Sequence, residues 1–250
     1  MQGSPSDVLV LCYHAVSPTW NAALAVTPDA LERQLSMLVS RGFKGATFTD
    51  AVVCPPHRRT LAVTFDDGFL SVLERAGPIL ARLGLVATVF VPTAFMGRRQ
   101  PLAWNGTERW AGTRFADELQ GMDWDDLGSL VASGWEVGSH SRTHPRLTRL
   151  DQDALSAELL ESRLECDRRL GAPCTAIAYP YGDVDGRVAD AAGEAGYAAA
   201  ARLSSSLIPR GPLQWPRIGI YHGDARSRFR LKANAAIRRL RATGLWPEHE

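Results

Sequence analysis

Leu61-Ala62-Val63-Thr64-Phe65-Asp66-Asp67-Gly68 is the stretch on which the reading of this chain turns. Its first five residues form an apolar run that reads as a buried strand, and Gly68 follows as turn chemistry. Two adjacent carboxylates stand at the exit of that strand, where an ionised group is costly unless it is paired, bound or used. One carboxylate can hold a metal while its neighbour handles protons, so Asp66 and Asp67 are candidate site residues. Spacing alone does not say which does which.

Outward from this stretch, apolar runs alternate with amphipathic segments nearly from end to end, the pattern of parallel strands joined by crossover helices. Val8 to Tyr13 reads as a first strand, and Thr27-Pro28 as an N-cap and first-turn proline opening a helix to about Ser40, ended by Gly42. A helix over about 70–83, kinked at Pro78, leads to a strand at 87–91. Residues of about 92–122 lose periodicity, and are expected to form a long surface insertion. Asp123 or Asp125 caps a helix to Ala132, a strand begins at Trp135, and a long helix spans about 153–170. Strands at 176–179, 197–201 and 217–221, a helix at 187–195 and a basic helix over about 225–242 complete the chain. Seven or so such units imply an α/β fold, a distorted or incomplete (β/α)7-type barrel, with residues 1–250 as a single domain.

At 250 residues and 45% hydrophobic content, the chain can bury a sizeable core. All but Lys44 and Lys232 of its 28 basic residues are arginines, the net charge is +1, and the bases are scattered among acids except from Arg226 to Arg241. No nucleic-acid partner is expected from that balance. The basic tail has apolar residues at helical spacing and is compatible with peripheral contact to anionic phosphate or a membrane surface; a closing helix with a solvated basic face is the plainer reading. Cys12, Cys54, Cys166 and Cys174 form no CxxC pair, so no thiolate zinc site is readable and reduced thiols are expected. The first residues lack a basic segment leading into an apolar one, and no run approaches membrane-spanning length, so a cytoplasmic location is expected.

After the strand at Trp135 comes Gly138-Ser139-His140-Ser141-Arg142-Thr143-His144-Pro145, two imidazoles four residues apart at a strand-to-helix connection. Neutral imidazole is the commonest transition-metal ligand. Joined by one carboxylate of the Asp66-Asp67 pair, His140 and His144 would make a three-ligand set with open coordination positions, as in catalytic rather than structural sites.

Thr64 to Gly68 and His140 to His144, in this order, resemble the first two motifs of the polysaccharide deacetylases, the NodB-like enzymes of carbohydrate esterase family four. Cys12-Tyr13-His14, Ala87 to Pro92, Gly134 to Gly138 and Ala178 to Gly182 extend the resemblance over nearly the whole chain, toward the branch that modifies exopolysaccharides. The resemblance implies Asp67, His140 and His144 as metal ligands and Asp66 as general base. It further implies the Tyr181 backbone N–H, beside Pro180, as oxyanion donor. The implied activity is removal of N-acetyl groups from a sugar or glycan with release of acetate. The implied cofactor is a divalent ion, zinc by default, with Co2+, Ni2+, Fe2+ or Mn2+ compatible with the same donors. An O-acetyl esterase and a non-catalytic glycan-binding module are the rival readings. A carbohydrate carried on a nucleotide, a lipid or a small glycoside is the expected form of a cytoplasmic substrate.

The chain departs from the family pattern in two places. Ala178 stands where an arginine usually braces the base, and Arg217, at the start of a later strand, is the candidate replacement because its rigid fork of donors matches a carboxylate. The late Leu-x-His motif has no clear copy; His222 in Ile220-Tyr221-His222 is the nearest candidate for a general acid, against a turn residue that caps the final helix. His14, at the end of the first strand, is expected to line the mouth of the barrel and meet substrate. Trp104, with Trp110, is the candidate sugar-stacking platform.

Overall fold

The computed structural model describes residues 7–97 and 101–246. Its strands are β1 (Asp7–Tyr13), β2 (Ala15–Val16), β3 (Ala25–Val26), β4 (Lys44–Ala46), β5 (Arg59–Phe65), β6 (Thr88–Val91), β7 (Glu136–Ser139), β8 (Ala176–Ala178), β9 (Ala199–Leu203) and β10 (Trp215–Gly219). The helices are α1 (Pro28–Ser40), α2 (Phe48–Val53), α3 (Gly77–Arg82), α4 (Trp124–Ala132), α5 (Gln152–Leu170), α6 (Gly186–Glu194), α7 (Arg226–Lys232) and α8 (Ala235–Arg241).

Seven strands pair in parallel in the order β1-β10-β9-β8-β7-β6-β5, and β5 returns to β1 from Asp7↔Arg59 to Tyr13↔Phe65, closing the barrel. The closure is uneven. β4 occupies the first half of the β5 edge (Lys44↔Thr60 to Ala46↔Ala62), and β6 pairs only its end (Thr64↔Thr88, Phe65↔Val89). β7 and β8 share the single registered pair Ser139↔Ile177. β2 and β3 form a separate parallel ribbon.

Alternation along the strands divides the core in two. Leu9, Leu11, Tyr13, Leu61, Val63 and Phe65 pack outward into the large cluster under the helices. Val10, Ala62, Phe90, Ala176, Ala178, Ala199 and Ala201 form a second cluster inside the barrel with Phe48, Ala51 and Val52 of α2, which plugs one end. Phe48 meets Phe90 edge-on at 5.5 Å. Four alanines on β8 and β9 leave the interior room for one larger side chain, and that room is used by the site.

Local sequence accounts for the element ends. Thr27 accepts from the Ala30 N–H at 3.2 Å beside Pro28, and Gly42 leaves α1 at φ 83°. Asp123 and Asp126 form a capping box on α4. Pro78 has no N–H to donate, and the helix enters it through a wider π turn at Val72–Ala76 before α3 resumes. β4 and α2 are too short to show periodicity and were not expected. The basic C-terminal segment is two helices rather than one, because the Asn234 side chain accepts from the Ala236 and Ile237 N–H groups and starts α8 afresh. The described residues of the 92–122 insertion are packed onto the barrel: Leu102, Leu119 and Met122 are buried, Leu102 N–H bonds Leu119 O at 2.7 Å, and Trp110 packs edge-on against the buried Trp20 at 5.7 Å. Among the described residues, all four cysteines are free and no helix is long and apolar enough to cross a membrane.

Candidate active site

The inward register of β5 continues past its last residue, so that Ala62, Thr64 and Asp66 share the interior side with Cys12 of β1 and Arg217 of β10. Arg217 is 1% exposed and Asp66 2%. The guanidinium grips the carboxylate with both arms, Nη1 to Oδ1 at 2.6 Å and Nη2 to Oδ2 at 2.7 Å, and Nη1 also donates to Thr64 Oγ1 at 2.9 Å. The Cys12 thiol donates to Oδ2 at 3.4 Å. Burial pushes the Asp66 carboxyl up, but the charge and hydrogen bonds of Arg217 outweigh it, and the group is held well below the usual carboxylate range. Arg217 thus stands two strands from Ala178 and reaches the carboxylate across the space that the small interior side chains leave.

Asp67 and Gly68 are both left-handed, at φ 73° and 74°. This turns the chain at the strand end and sends the second carboxylate away from the first, toward the β7 loop. Asp67 Oδ1 lies 3.6 Å from His140 Nε2 and 3.5 Å from His144 Nε2. His140 Nε2 also lies 4.0 Å from Asp66 Oδ2. The His140 Nδ1–H donates to the Ala178 carbonyl at 2.6 Å, which leaves the Nε2 lone pair facing Asp67. Burial pushes His140 down to about 4, so the ring is neutral at pH 7. The backbone of Ala178 therefore orients a histidine at the position where its side chain has lost the arginine.

The loop carrying the two histidines is held by α5. Glu158 accepts from the Arg142 and Thr143 N–H groups at 2.8 and 2.9 Å and from the Thr143 hydroxyl at 2.5 Å. Ser141 Oγ accepts from the His144 N–H at 3.1 Å, and Ser139 Oγ from the Ser141 N–H at 3.0 Å. Among the described residues, the non-glycine positions with positive φ are Asp67, Ser141, His144 and Tyr181, all in or beside this cluster. Such conformations cost about 1–3 kcal/mol each and persist where the surroundings enforce them.

Tyr181 (φ 61°) sits in the tight turn Pro180–Gly182 after β8. That turn's hydrogen bonds use the amides of Gly182 and Asp183, which donate to the Tyr179 and Pro180 carbonyls at 2.9 and 3.1 Å, not that of Tyr181. Pro180 is buried, and the Tyr181 ring meets His144 edge-on at 4.7 Å. Trp104 stacks on the same imidazole, at 4.5 Å and 25°, and so braces His144. Trp110 is partly buried and packs edge-on against Trp20 and Phe115. His14, 8% exposed at the end of β1, comes within 4.8 Å of Cys12 and Asp66 by its ring nitrogen, and its Nδ1 has no partner. His222 is elsewhere: its N–H donates to Ala23 O at 2.9 Å, its exposed ring meets Ala25 O at 3.3 Å, and no contact joins it to the carboxylates or imidazoles of the cluster. Glu158 escapes sequence reading because a glutamate on a polar helix carries no local signal, and Cys12 enters it only within a flanking motif, with no role attached.

The donors fit a divalent ion. One oxygen of Asp67 and one nitrogen each of His140 and His144 lie within 4.8 Å of one another, buried. Their separations of 3.5 and 3.6 Å from Asp67 Oδ1 match the spacing of about 3.4 Å between neighbours around a tetrahedral ion with bonds of about 2.1 Å. The Nδ1–H bond of His140 to a backbone carbonyl is the usual outer support of a ligating histidine.

A closed parallel barrel whose strand ends at one mouth carry this cluster, with a second, clamped carboxylate beside it, has the layout of a barrel enzyme. A family model described as polysaccharide deacetylase matches residues 54–200, and the chain belongs to that family. The match includes Asp66, Asp67, His140, His144 and Tyr181 and leaves out His14 and Arg217. Bacillus subtilis (strain 168) YxkH, which bears a polysaccharide deacetylase name, is 24% identical over 198 residues, 77% of this chain; the chain spans 63% of that protein. The Streptococcus pyogenes deacetylase PplD, solved with acetate, superposes with a TM-score of 0.73 at 23% identity, over 90% of this chain and 97% of that one. A de-N-acetylase from Aggregatibacter actinomycetemcomitans gives 0.73 at 17% identity, over 90% and 99%. IcaB from Ammonifex degensii gives 0.68 at 21%, over 92% and 98%. These likenesses bear on the fold.

Proposed function

We propose that the protein is a divalent-metal-dependent hydrolase that removes N-acetyl groups from an acetylated sugar or glycan. The observation that carries this reading is the convergence of Asp67, His140 and His144 beside an Asp66 that Arg217 keeps ionised. Asp67, His140 and His144 would hold the ion, with zinc as the default for two imidazoles and a carboxylate. When bound, such an ion polarises the acetyl carbonyl and makes water a better nucleophile at neutral pH. Asp66 accepts the proton of the attacking water; its two bonds to Arg217 fix the carboxylate plane and keep it charged. The Tyr181 N–H donates to the oxygen on which negative charge develops. His14, which faces Asp66 at the strand end, gives a proton to the departing nitrogen as the C–N bond breaks, and this role passes to it from His222, which the turn holds apart. Acetate and a free amine are the products.

The same groups would serve ester cleavage. Choice of the amide is supported by one structural neighbour, the Aggregatibacter actinomycetemcomitans protein, being a de-N-acetylase. The test is acetate release by zinc-loaded and chelator-treated protein from N-acetylglucosamine oligosaccharides, free, polymeric and carrier-linked, set against acetylated xylan. Chelator-sensitive release from the amides is expected. Turnover of esters alone would replace the reading with an esterase, and no turnover with no bound metal would replace it with a glycan-binding module.

A further inference from the structure

The clearest group at this mouth that the proposed chemistry leaves unused is Arg146. It lies two residues beyond His144, where its backbone starts the short 3-10 turn Leu147–Arg149, and it is exposed. Its guanidinium carbon sits 4.5 Å from the centre of the Tyr181 ring, and that ring meets His144 at 4.7 Å. Among the described residues, Arg146 makes no ion pair. The nearby bases are committed: Arg142 pairs with Glu161 at 3.1 Å, and Arg187 donates to Thr148 O at 3.1 Å. Asp67 and Glu108 are the acidic groups near the same tyrosine, and neither is bonded to Arg146.

A guanidinium stacked on an aromatic ring keeps its N–H donors at its edge, and stacking holds the long side chain in place before any ligand arrives. From the exposed Arg146, those donors are within reach of the sugar residue whose acetamido group meets the His140–His144 cluster, or of its neighbour in a chain. We infer that Arg146 is a specificity residue for a substrate that carries an anionic group, a carboxylate or a phosphate, on or next to the acetylated sugar. This rests on the deacetylase reading above. An arginine fork matches both anions bidentately, so the shared chemistry is an oxyanion with two free oxygens.

The experiment compares kcat/KM of the zinc-loaded protein on three acetamido sugars. These are a neutral chitooligosaccharide, an oligosaccharide in which N-acetylglucosamine alternates with a uronic acid, and a phosphorylated N-acetylglucosamine glycoside. Wild type is expected to favour at least one anionic substrate by about tenfold, with a preference that falls as salt rises. Arg146→Gln is expected to bring the anionic-to-neutral ratio to about one, mainly through KM, and Arg146→Lys to restore part of it. The uronate and phosphate arms tell which anion is read. Equal use of neutral and anionic substrates by wild type, or an Arg146→Gln loss of the same factor on all three, overturns the proposal while leaving the deacetylase reading intact. Calorimetric binding of the same sugars to the Asp66→Asn variant reads the subsite without turnover. Tighter binding of an anionic sugar that Arg146→Gln abolishes supports it even if no acetate is released, and equal affinities overturn it.

Discussion

Replacing Arg217 by glutamine tests the interior of the barrel and the chemistry at its mouth together. In the wild type, the Asp66 carboxylate is 2% exposed and is compensated by two bonds to Arg217, at 2.6 and 2.7 Å. Removing one member of a buried pair leaves the other charge uncompensated, at a cost of about 3–5 kcal/mol. In a chain of this size each kcal/mol moves Tm by about 2–4 °C, so Arg217→Gln should melt about 6–20 °C lower at pH 7. The pH dependence has a definite sign. Wild-type Asp66, with its folded pKa depressed, contributes stability above the unfolded value of about 3.9 and loses it only as pH falls through the lower folded value. In the variant the guanidinium is gone and burial, the largest influence on this carboxyl, raises the folded pKa, so the penalty grows as pH rises above the unfolded value and fades as pH falls toward it. The gap in Tm between the two proteins, measured by calorimetry on chelator-treated samples, should therefore shrink from pH 7 to pH 4. Activity should fall by at least about 10²-fold, because a protonated Asp66 is no base. The double variant Asp66→Asn with Arg217→Met, which removes both charges, should regain most of the stability and none of the activity. An Arg217→Gln protein with Tm within roughly 2 °C of wild type, well short of the drop expected from a buried unpaired charge, would refute this account of the pair.

Further substitutions at four residues separate the roles at the site. Asp66→Asn should keep stoichiometric metal and lose about 10²–10⁴-fold in rate, whereas His140→Ala should lose the metal itself, as read by elemental analysis of the purified proteins; equal metal loss in both would reverse the assignment of the two aspartates. Glu158→Ala releases the Arg142 and Thr143 amides that hold the histidine loop, and metal affinity should weaken by about 10–100-fold, the usual effect of losing an outer support; unchanged affinity in a competition titration would show the loop to be held without it. Tyr181→Gly keeps the backbone N–H and relieves the left-handed strain, while Tyr181→Val forces a β-branched residue to φ 61°. The glycine variant should retain kcat within about tenfold, less than the loss typical of a deleted oxyanion donor, and the valine variant should melt lower; a larger loss in the glycine protein would transfer the role from the amide to the side chain.

The barrel and four residues of its candidate site were legible because they depend on short-range signals. A strand buried on both faces needs an unbroken apolar run, and Leu61 to Phe65 supplies one; a helix start needs a cap, and Thr27 and Asp123 each supply one. Asp66-Asp67-Gly68 and His140 to His144 are compact enough in sequence to be read as units. Register and long-range placement are not written locally. No spacing says that position 217 on the seventh barrel strand faces position 66 on the second, or that α2 plugs one end of the barrel. Those follow from closure, which brings β10 beside β1 and β1 beside β5 and turns every second side chain inward.

The sequence by itself determined that Asp66 and Asp67 stand together at a strand exit and that two histidines follow on a later loop. Only the tertiary structure divided the two carboxylates, because two consecutive left-handed residues turn Asp67 toward His140 and His144 while Asp66 stays on the inward register of β5. It also decided what braces Asp66. The arginine absent at Ala178 is matched by Arg217, which the small interior residues Ala176, Ala178, Ala199 and Ala201 leave space to enter, and a charge buried this deeply is stable only where the fold delivers its partner.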